Sequence, residues 1–213
     1  MIAAVDEFII YDDMQFTKND WRNRNLIKSP NGLLWLSIPV GVDISRRIRD
    51  VSIFEKKWQV KHWKTLHSNY AKAPFFMEVA EWLEPLFLNE SFDNLHILNK
   101  TLIENICKYL NIKTIIKNSW DYELVDGKTE RLISLCKQSG ATKYLSGPAA
   151  KSYLDESLFH EAGIELLWQD YSNYPQYPQL WGDYVHGVSI LDMLFNCGKN
   201  SLTYMKTNHK TIA

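Results

Sequence analysis

The chain has 213 residues, of which 46% are hydrophobic and 23% are charged, so its length fits one large domain or a tight pair, and it can fill a core of that size and is not a disordered chain. Its formal net charge of -1 gives no broad attraction to nucleic acid or anionic lipid, and no nucleic-acid partner is predicted. Three widely separated cysteines, Cys107, Cys136 and Cys197, lie in apolar helical contexts. They indicate neither a disulfide framework nor a metal-binding pair, so no metal site is predicted.

Targeting signals are absent from the pattern of the chain. The start lacks the basic, apolar and small-residue order of a secretory signal, and no apolar run approaches the length of a membrane span. We therefore predict a cytoplasmic protein that forms a single domain over residues 1–213, with a helical insertion at about residues 57–110. A homo-oligomer is compatible with this composition, and the sequence leaves the cofactor unknown.

The first predicted element is a strand at Phe8–Tyr11, which reads as buried on both faces because it is short, β-branched and without alternation. In open α/β sheets, groups just past the carboxyl end of a strand face the ligand crevice. The first candidates for site residues are therefore Asp12, Asp13, Gln15 and Lys18. A turn that only caps the strand explains the two aspartates equally well.

A β-hairpin is predicted next, because Ser29-Pro30-Asn31-Gly32 lies between two apolar runs. The polar segment after it carries Arg46, Arg47 and Arg49. These arginines fit either a solvated surface turn or a phosphate clamp, since the guanidinium fork matches phosphate oxygens.

Three helices are predicted between residues 57 and 110. The first covers Lys57–Ala71, the second begins at Pro74, and Ser91 caps the third. His62 lies in the first helix and reads as an interior or surface histidine, because no Cys, Asp or Glu completes a catalytic constellation beside it. The predicted inward stripe of the first helix is Val60, Trp63, His67 and Tyr70.

Strands and helices alternate after residue 112, which predicts right-handed crossovers and a parallel sheet. The fold class expected is α/β, a mostly parallel sheet flanked by helices, with an inserted β-hairpin and helical segment. Ser146 and Gly147 end one strand and are expected to face the same crevice as Asp13, a plain βα turn being the alternative. The predicted elements are Thr114–Lys117, Thr129–Gln138, Lys143–Ser146, Asp155–Ala162 and Ile164–Trp168.

An aromatic segment without helix follows at residues 169–186, where Pro175 and Pro178 forbid helix formation. Its length predicts a lid or a binding loop, and a loop packed down by its own rings is the alternative. Ser189 then begins a last helix, with Asp192 as the second member of a capping box and Gly198 at the end.

None of the familiar catalytic signatures occurs in the chain, but a series of blocks resembles the WbqC-like protein family. Members typically begin with a strand and turn of the type Gln-Pro-x-Tyr-x-Pro-Trp-x-Gly-Tyr, which this sequence lacks, so we expect a member that is short at its amino terminus. The matching blocks include Asp12–Lys18, Trp21, Asn23-Arg24-Asn25, Lys61-His62, Tyr70, Tyr144–Gly147, Tyr153-Leu154-Asp155, Gln169-Asp170-Tyr171 and Ser189–Asp192.

The resemblance implies a set of site residues in addition to the strand-end groups. Asp13 and Asp12 are the expected catalytic residues. The expected substrate-binding residues are Gln15, Lys18, Trp21, Asn23, Arg24, Asn25, His62, Tyr70, Ser146, Gly147, Tyr153, Gln169, Tyr171 and Asp192.

The resemblance also implies a role in O-antigen, lipopolysaccharide or capsule biosynthesis. The leading hypothesis is a transferase that moves an acyl or aminoacyl group, such as glycine, to a nucleotide-linked amino sugar. In that scheme Asp13 takes a proton from the attacking amine, while Arg24 and Lys18 hold a diphosphate. Two alternatives stay open: a nucleotide-dependent activating enzyme of the nucleotidyltransferase type, and a non-enzymatic sugar-nucleotide-binding or scaffolding subunit.

Overall fold

Two compact units make up the part of the chain that the structure, a computed structural model, describes, namely residues 1–55 and 57–206. The first unit comprises Met1–Asp13, Lys113–Tyr174 and Lys206, and the second comprises Met14–Ile112 and Pro175–Met205. A domain is defined by its capacity to fold alone. The single-domain organisation over residues 1–213 therefore stays a prediction.

Three strands precede a stretch of three helices, and strands alternate with helices after residue 112. No helix among the described residues combines the length and the apolar character needed to cross a bilayer. In chain order the elements are β1 (Glu7–Ile10), β2 (Arg24–Ser29), β3 (Gly32–Ser37), α1 (Trp58–Tyr70), α2 (Phe76–Leu88), α3 (Leu95–Tyr109), β4 (Ile115–Asn118), α4 (Thr129–Gln138), β5 (Lys143–Ser146), α5 (Glu156–Glu161), β6 (Glu165–Trp168) and α6 (Ile190–Cys197).

The first unit has the predicted α/β character. β1 pairs in parallel with β4, and β5 pairs in parallel with β6, with α5 as the crossover between the last two. The ranges of α4 and β5 coincide with those predicted from the sequence. The α/β fold class is confirmed, although the four strands are hydrogen-bonded two by two among the described residues rather than in one continuous ladder.

A small core holds the helices of the first unit against its strands. Phe159 on α5 is buried and stacks face to face on Tyr144 of β5, with ring centroids 5.3 Å apart. Ile133 of α4 and Ile164 are buried in the same cluster. Asp155 caps α5 as predicted, because its side chain accepts a hydrogen bond from the Ser157 backbone N–H.

The second unit packs α1, α2, α3 and α6 together with the β2–β3 hairpin around a larger core. The hairpin is confirmed as antiparallel, with Ser29 opposite Gly32 across the turn. Gly32 has a φ of +108°, a conformation that L side chains rarely adopt. The turn chemistry of the sequence therefore sets the register of this hairpin.

Two details of the helical stretch differ from the prediction. Val60 and His67 are exposed on α1, whereas Gln59 and Leu66 are buried, because the bulky Trp58 side chain takes a core position and rotates the buried stripe. The cap of α3 is not Ser91. The Asn94 side chain accepts a hydrogen bond from the Ile97 backbone N–H at 3.1 Å, one residue before the helix begins.

A buried carboxylate connects α6 to α1 and to the aromatic segment. The side chain of Asp192 is 0% exposed and accepts hydrogen bonds from the hydroxyls of Tyr70, at 2.7 Å, and Tyr177, at 2.9 Å. Burial raises the pKa of Asp192, and the two phenol hydrogen bonds act in the opposite direction. The predicted capping box is therefore wrong in its second half. Ser189 accepts from the Leu191 N–H, but Asp192 faces the core.

Lys28 of β2 extends the same network to the loop. Its backbone N–H donates to the Tyr70 hydroxyl at 2.9 Å, and its Nζ donates to Gln179 Oε1 at 2.9 Å. Gln179 Nε2 in turn donates to the Tyr177 hydroxyl at 3.0 Å. Residues 175–186 are thus packed down by their own rings and amides, as one of the two interpretations of this segment expected.

The network predicts a specific stability effect. Asp192→Ala should lower the free energy of unfolding by about 3 kcal/mol, because two buried phenols lose a charged acceptor. Tyr177→Phe removes one donor and should cost about 1–2 kcal/mol. The measurement is equilibrium unfolding in urea.

Tyr184→Phe is the matched control, since that phenol belongs to the same loop but contacts His186 at the surface. It should change the free energy of unfolding by less than about 0.5 kcal/mol. Equal unfolding midpoints for Asp192→Ala and Tyr184→Phe would contradict a stabilising role for the network.

Candidate functional site

The aspartates after β1 lie beside the turn after β4 in the first unit. Ile10 pairs with Asn118, so both strands end at the same level. Ser119, the next residue after β4, donates a hydrogen bond from its hydroxyl to Asp13 Oδ2 at 2.6 Å. Asp12 is buried and Asp13 is half-buried. The adjacent strand ends therefore hold the Asp13 carboxylate in a defined orientation.

The ends of β5 and β6 bring a second group of predicted residues together. The Gln169 backbone N–H donates to the Ser146 carbonyl at 2.8 Å, and both residues are buried. Gln169 Nε2 donates to the Tyr174 hydroxyl at 3.2 Å. A Cβ atom at Gly147 would lie 3.8 Å from the Tyr171 hydroxyl, an ordinary van der Waals distance, so this hydroxyl lies next to the turn after β5.

The loop after β6 is closed by one lysine. Lys206 Nζ donates to the Asp170 carboxylate at 3.1 Å and to the Ser172 carbonyl at 2.6 Å. Hydrogen bonds from Ser172, together with Lys206, lower the pKa of Asp170 to about 2. Tyr153, which was predicted from the family resemblance, follows the turn after β5 and is more than half exposed.

The exposed face of the hairpin in the second unit carries three side chains that we call the hairpin platform: Trp21, Arg24 and Trp35. The two indoles are 62% and 43% exposed, with ring centroids 5.7 Å apart and planes tilted by 42°. The Arg24 Cζ lies 4.2 Å from the centroid of the Trp35 ring. An aromatic and cationic ledge therefore faces the solvent.

The turn before β2 fixes the base of this platform. The Asp20 carbonyl accepts hydrogen bonds from the backbone N–H groups of Asn23 and Arg24. Asn99 Nδ2 donates to the Arg22 carbonyl at 3.0 Å. Asn23 Oδ1 is buried and has no hydrogen-bond donor within residues 1–55 and 57–206.

Other predicted residues of the second unit make local contacts. Gln15 Nε2 donates to the Ile44 carbonyl at 3.0 Å, and Asn25 Oδ1 accepts from the Leu26 N–H at 2.8 Å. Lys18 is exposed. Tyr70 and Asp192 direct their polar atoms at each other in the core. Their roles in substrate binding, like the single crevice shared by all candidates, stay predictions.

His62 lies on α1 and contacts the end of the hairpin. Its Nε2 is 3.1 Å from the Ser37 carbonyl, and its ring meets the ring of Trp58 edge-on at 5.1 Å. Burial lowers the pKa of His62 below its ordinary value, and the Ser37 hydrogen bond opposes that shift. A neutral ring that donates to Ser37 fits this environment.

The sequence interpretation missed Trp35 and Ser119. The signal for Trp35 was weak, since a large ring beside Leu33 and Leu34 indicates more apolar side chains than one buried face requires but not which of them faces the solvent. Ser119 offered no signal, because only strand pairing brings it to Asp13. Within the described part of the chain, no group of three or more His, Cys, Asp or Glu side chains could hold a metal ion.

The chain is similar to known proteins over a range that includes all of the predicted site residues. The family model described as the WbqC-like protein family matches residues 1–204. The uncharacterized protein Rv1507c of Mycobacterium tuberculosis (strain H37Rv) is 52% identical to this chain over 208 residues. The aligned residues span 97% of this chain and 90% of that protein. No solved structure matches the chain.

The environment of His62 predicts a pH dependence. Its pKa in the folded protein lies below 6.5, so as the pH falls through that value the unfolded chain binds a proton that the folded chain resists. The free energy of unfolding should then decrease on acidification. Urea unfolding between about pH 7.5 and 5.5 measures this slope. His62→Gln keeps an N–H donor and should show a shallower slope; an unchanged slope would mean that His62 titrates alike in both states.

Proposed function

The chain belongs to the WbqC-like protein family, and from this premise we propose that it is a cytoplasmic transferase of surface-polysaccharide biosynthesis. The proposed reaction adds an acyl or aminoacyl group to the amine of a nucleotide-linked amino sugar. O-antigen and lipopolysaccharide assembly are the pathways in which such a modified sugar would be used. The family resemblance supplies the pathway, and the first unit supplies the candidate chemistry.

The observation that carries the proposal is the contact between Asp13 and Ser119. Both follow parallel strands at the edge where α/β proteins place reacting groups. The serine hydroxyl donates to Asp13 Oδ2 at 2.6 Å, so the side chain is held as an acceptor in one orientation. A positioned carboxylate is suited to general-base catalysis.

The proposed step conserves atoms and electrons. The sugar amine attacks the carbonyl carbon of an activated donor, such as a thioester or an aminoacyl ester. A C–N bond forms, the bond from the carbonyl to the leaving group breaks, and the leaving group departs with the electron pair. Asp13 takes the proton that the amine nitrogen loses.

Direct transfer is favoured over a covalent enzyme intermediate. The three cysteines are free and buried, and burial raises the pKa of Cys136 and of Cys197 to about 11. Burial also raises the pKa of Cys107. A protonated, buried thiol is a poor nucleophile. An amine acceptor needs no such relay once its proton is removed.

Asp13→Asn should lower kcat by about 100-fold or more with little change in KM, because a general base acts only as the transition state forms. The assay incubates the protein with nucleotide-linked amino sugars and activated acyl or aminoacyl donors. Mass spectrometry then follows the mass gain of the sugar nucleotide.

Two further variants are compared with Asp13→Asn in the same assay. Ser119→Ala should lower kcat less than Asp13→Asn, since it removes a positioning hydrogen bond and leaves the carboxylate. Asp126→Asn is the matched control, because this aspartate of the same unit is exposed and pairs only loosely with Arg131, at 3.6 Å. Full kcat in Asp13→Asn would refute the general-base role and favour the binding-subunit alternative.

A further inference from the structure

The hairpin platform has the parts of a small ligand site in the second unit. We propose that Trp21, Arg24 and Trp35 bind a mononucleotide, with the base stacked on Trp21 and the phosphate held by Arg24. Binding there is independent of the transferase chemistry proposed for Asp13, because affinity is measured without turnover. Because the proposed substrate is nucleotide-linked, this inference rests on the proposed function for its ligand class, and nucleotide binding that persists in Asp13→Asn but is lost in Trp21→Ala separates the two.

The guanidinium of Arg24 is prepared to bind an anion. It stacks on Trp35 at 4.2 Å, and its buried Nε has no hydrogen-bond acceptor in the part of the chain that the structure describes. Arginine presents its N–H donors in a rigid planar fork that matches phosphate oxygens. Because the stack already restricts the side chain, binding costs less conformational freedom than for a mobile cation.

Trp21 supplies the stacking surface. Its indole is 62% exposed and is tilted by 42° against Trp35. Arg24 covers one face of Trp35, so the better exposed ring is the place for a planar group. Nucleobases stack on exposed aromatic side chains with little dependence on sequence, because every base has a π-face.

A second pair of an arginine and an aromatic ring in the same unit, Arg46 and Phe54, shows what distinguishes the hairpin platform. Arg46 lies 5.9 Å from the ring of Phe54, which is 69% exposed. Its Nη2, however, already donates to the Val40 carbonyl at 2.7 Å and to the Asp43 carbonyl at 3.1 Å. An exposed ring near an arginine is therefore common to both places, whereas a buried guanidinium Nε without an acceptor among the described residues occurs at Arg24.

The combination selects among ligand classes. A neutral glycan offers no anion to Arg24, and inorganic phosphate offers no ring to Trp21. A nucleic-acid chain needs several phosphate contacts, but the neighbouring Arg22 is paired with Asp20. One planar ring with one phosphate group, as in a nucleotide, satisfies both parts of the platform.

Isothermal titration of the full chain with UDP and with ADP tests the proposal. At least one nucleotide should bind, and uridine, adenosine and glucosamine 1-phosphate should each bind about tenfold more weakly or worse. Trp21→Ala should weaken nucleotide binding about tenfold or more. Arg24→Lys keeps the charge but loses the planar fork, and it should weaken binding by a similar factor.

Phe54→Ala is the matched control, and its nucleotide affinity should equal that of the wild type. Urea unfolding of each variant shows whether the fold is retained, which is expected because Trp21 and Phe54 are exposed and Arg24→Lys keeps a long cationic side chain. Absence of binding for both nucleotides overturns the proposal. Equal affinity for glucosamine 1-phosphate overturns the assignment of the base to Trp21, and an equal loss in Phe54→Ala removes the platform from the binding.

Discussion

The second unit depends on one buried carboxylate. Asp192 would be costly to bury as an isolated anion, yet it lies in the core because Tyr70 and Tyr177 donate hydrogen bonds to its two oxygens. Each phenol also accepts a hydrogen bond, Tyr70 from the Lys28 backbone and Tyr177 from Gln179. One charge thereby fixes the relative positions of α6, α1, the hairpin and residues 175–186.

The same network explains why the aromatic segment is ordered without helix or strand. Its prolines remove backbone donors, so side chains must supply the contacts that a ladder would otherwise give. Trp181 Nε1 donates to the Asn69 carbonyl at 2.9 Å, and Gln179 Oε1 accepts from the Val185 N–H at 2.9 Å. Contacts of aromatic rings and side-chain amides therefore replace regular secondary structure in residues 175–186. These contacts hold the segment against the core, which does not fit a lid that opens and closes.

The sequence predicted those features that depend on local chemistry. Thr129–Gln138 and Lys143–Ser146 were placed correctly because capping residues, glycines and periodicity act within a few neighbours. Tertiary packing decided the rest. Val60 and His67 fit an inward stripe by spacing, but the indole of Trp58 took the buried position instead.

The candidate site residues show the same difference between features set by local chemistry and features set by tertiary packing. Asp12 and Asp13 could be chosen from the sequence because an apolar strand ends there, whereas Ser119 is 106 residues away and is brought to Asp13 only by parallel pairing. Asp192 matched a capping pattern in the sequence, but in the fold its carboxylate is buried and accepts hydrogen bonds from the hydroxyls of Tyr70 and Tyr177, which are distant in the sequence. Trp35 was missed because a hairpin position alone does not reveal whether a ring faces the core or the solvent.

The contrast between the core and the hairpin platform bears on function. In the core of the second unit, Asp192, Lys28 and Gln179 all have hydrogen-bond partners. At the platform, the buried Nε of Arg24 has no acceptor among the described residues, and a buried donor of this kind costs about 1–3 kcal/mol. Proteins commonly leave a polar group without an internal hydrogen-bond partner where a bound ligand supplies that partner. The indole N–H groups of Trp58 and Trp82 in the same unit are also buried without an acceptor among the described residues, so Arg24 is distinguished by its charge, by its stack on Trp35 and by the exposed indole of Trp21. This combination is the arrangement expected of a binding surface.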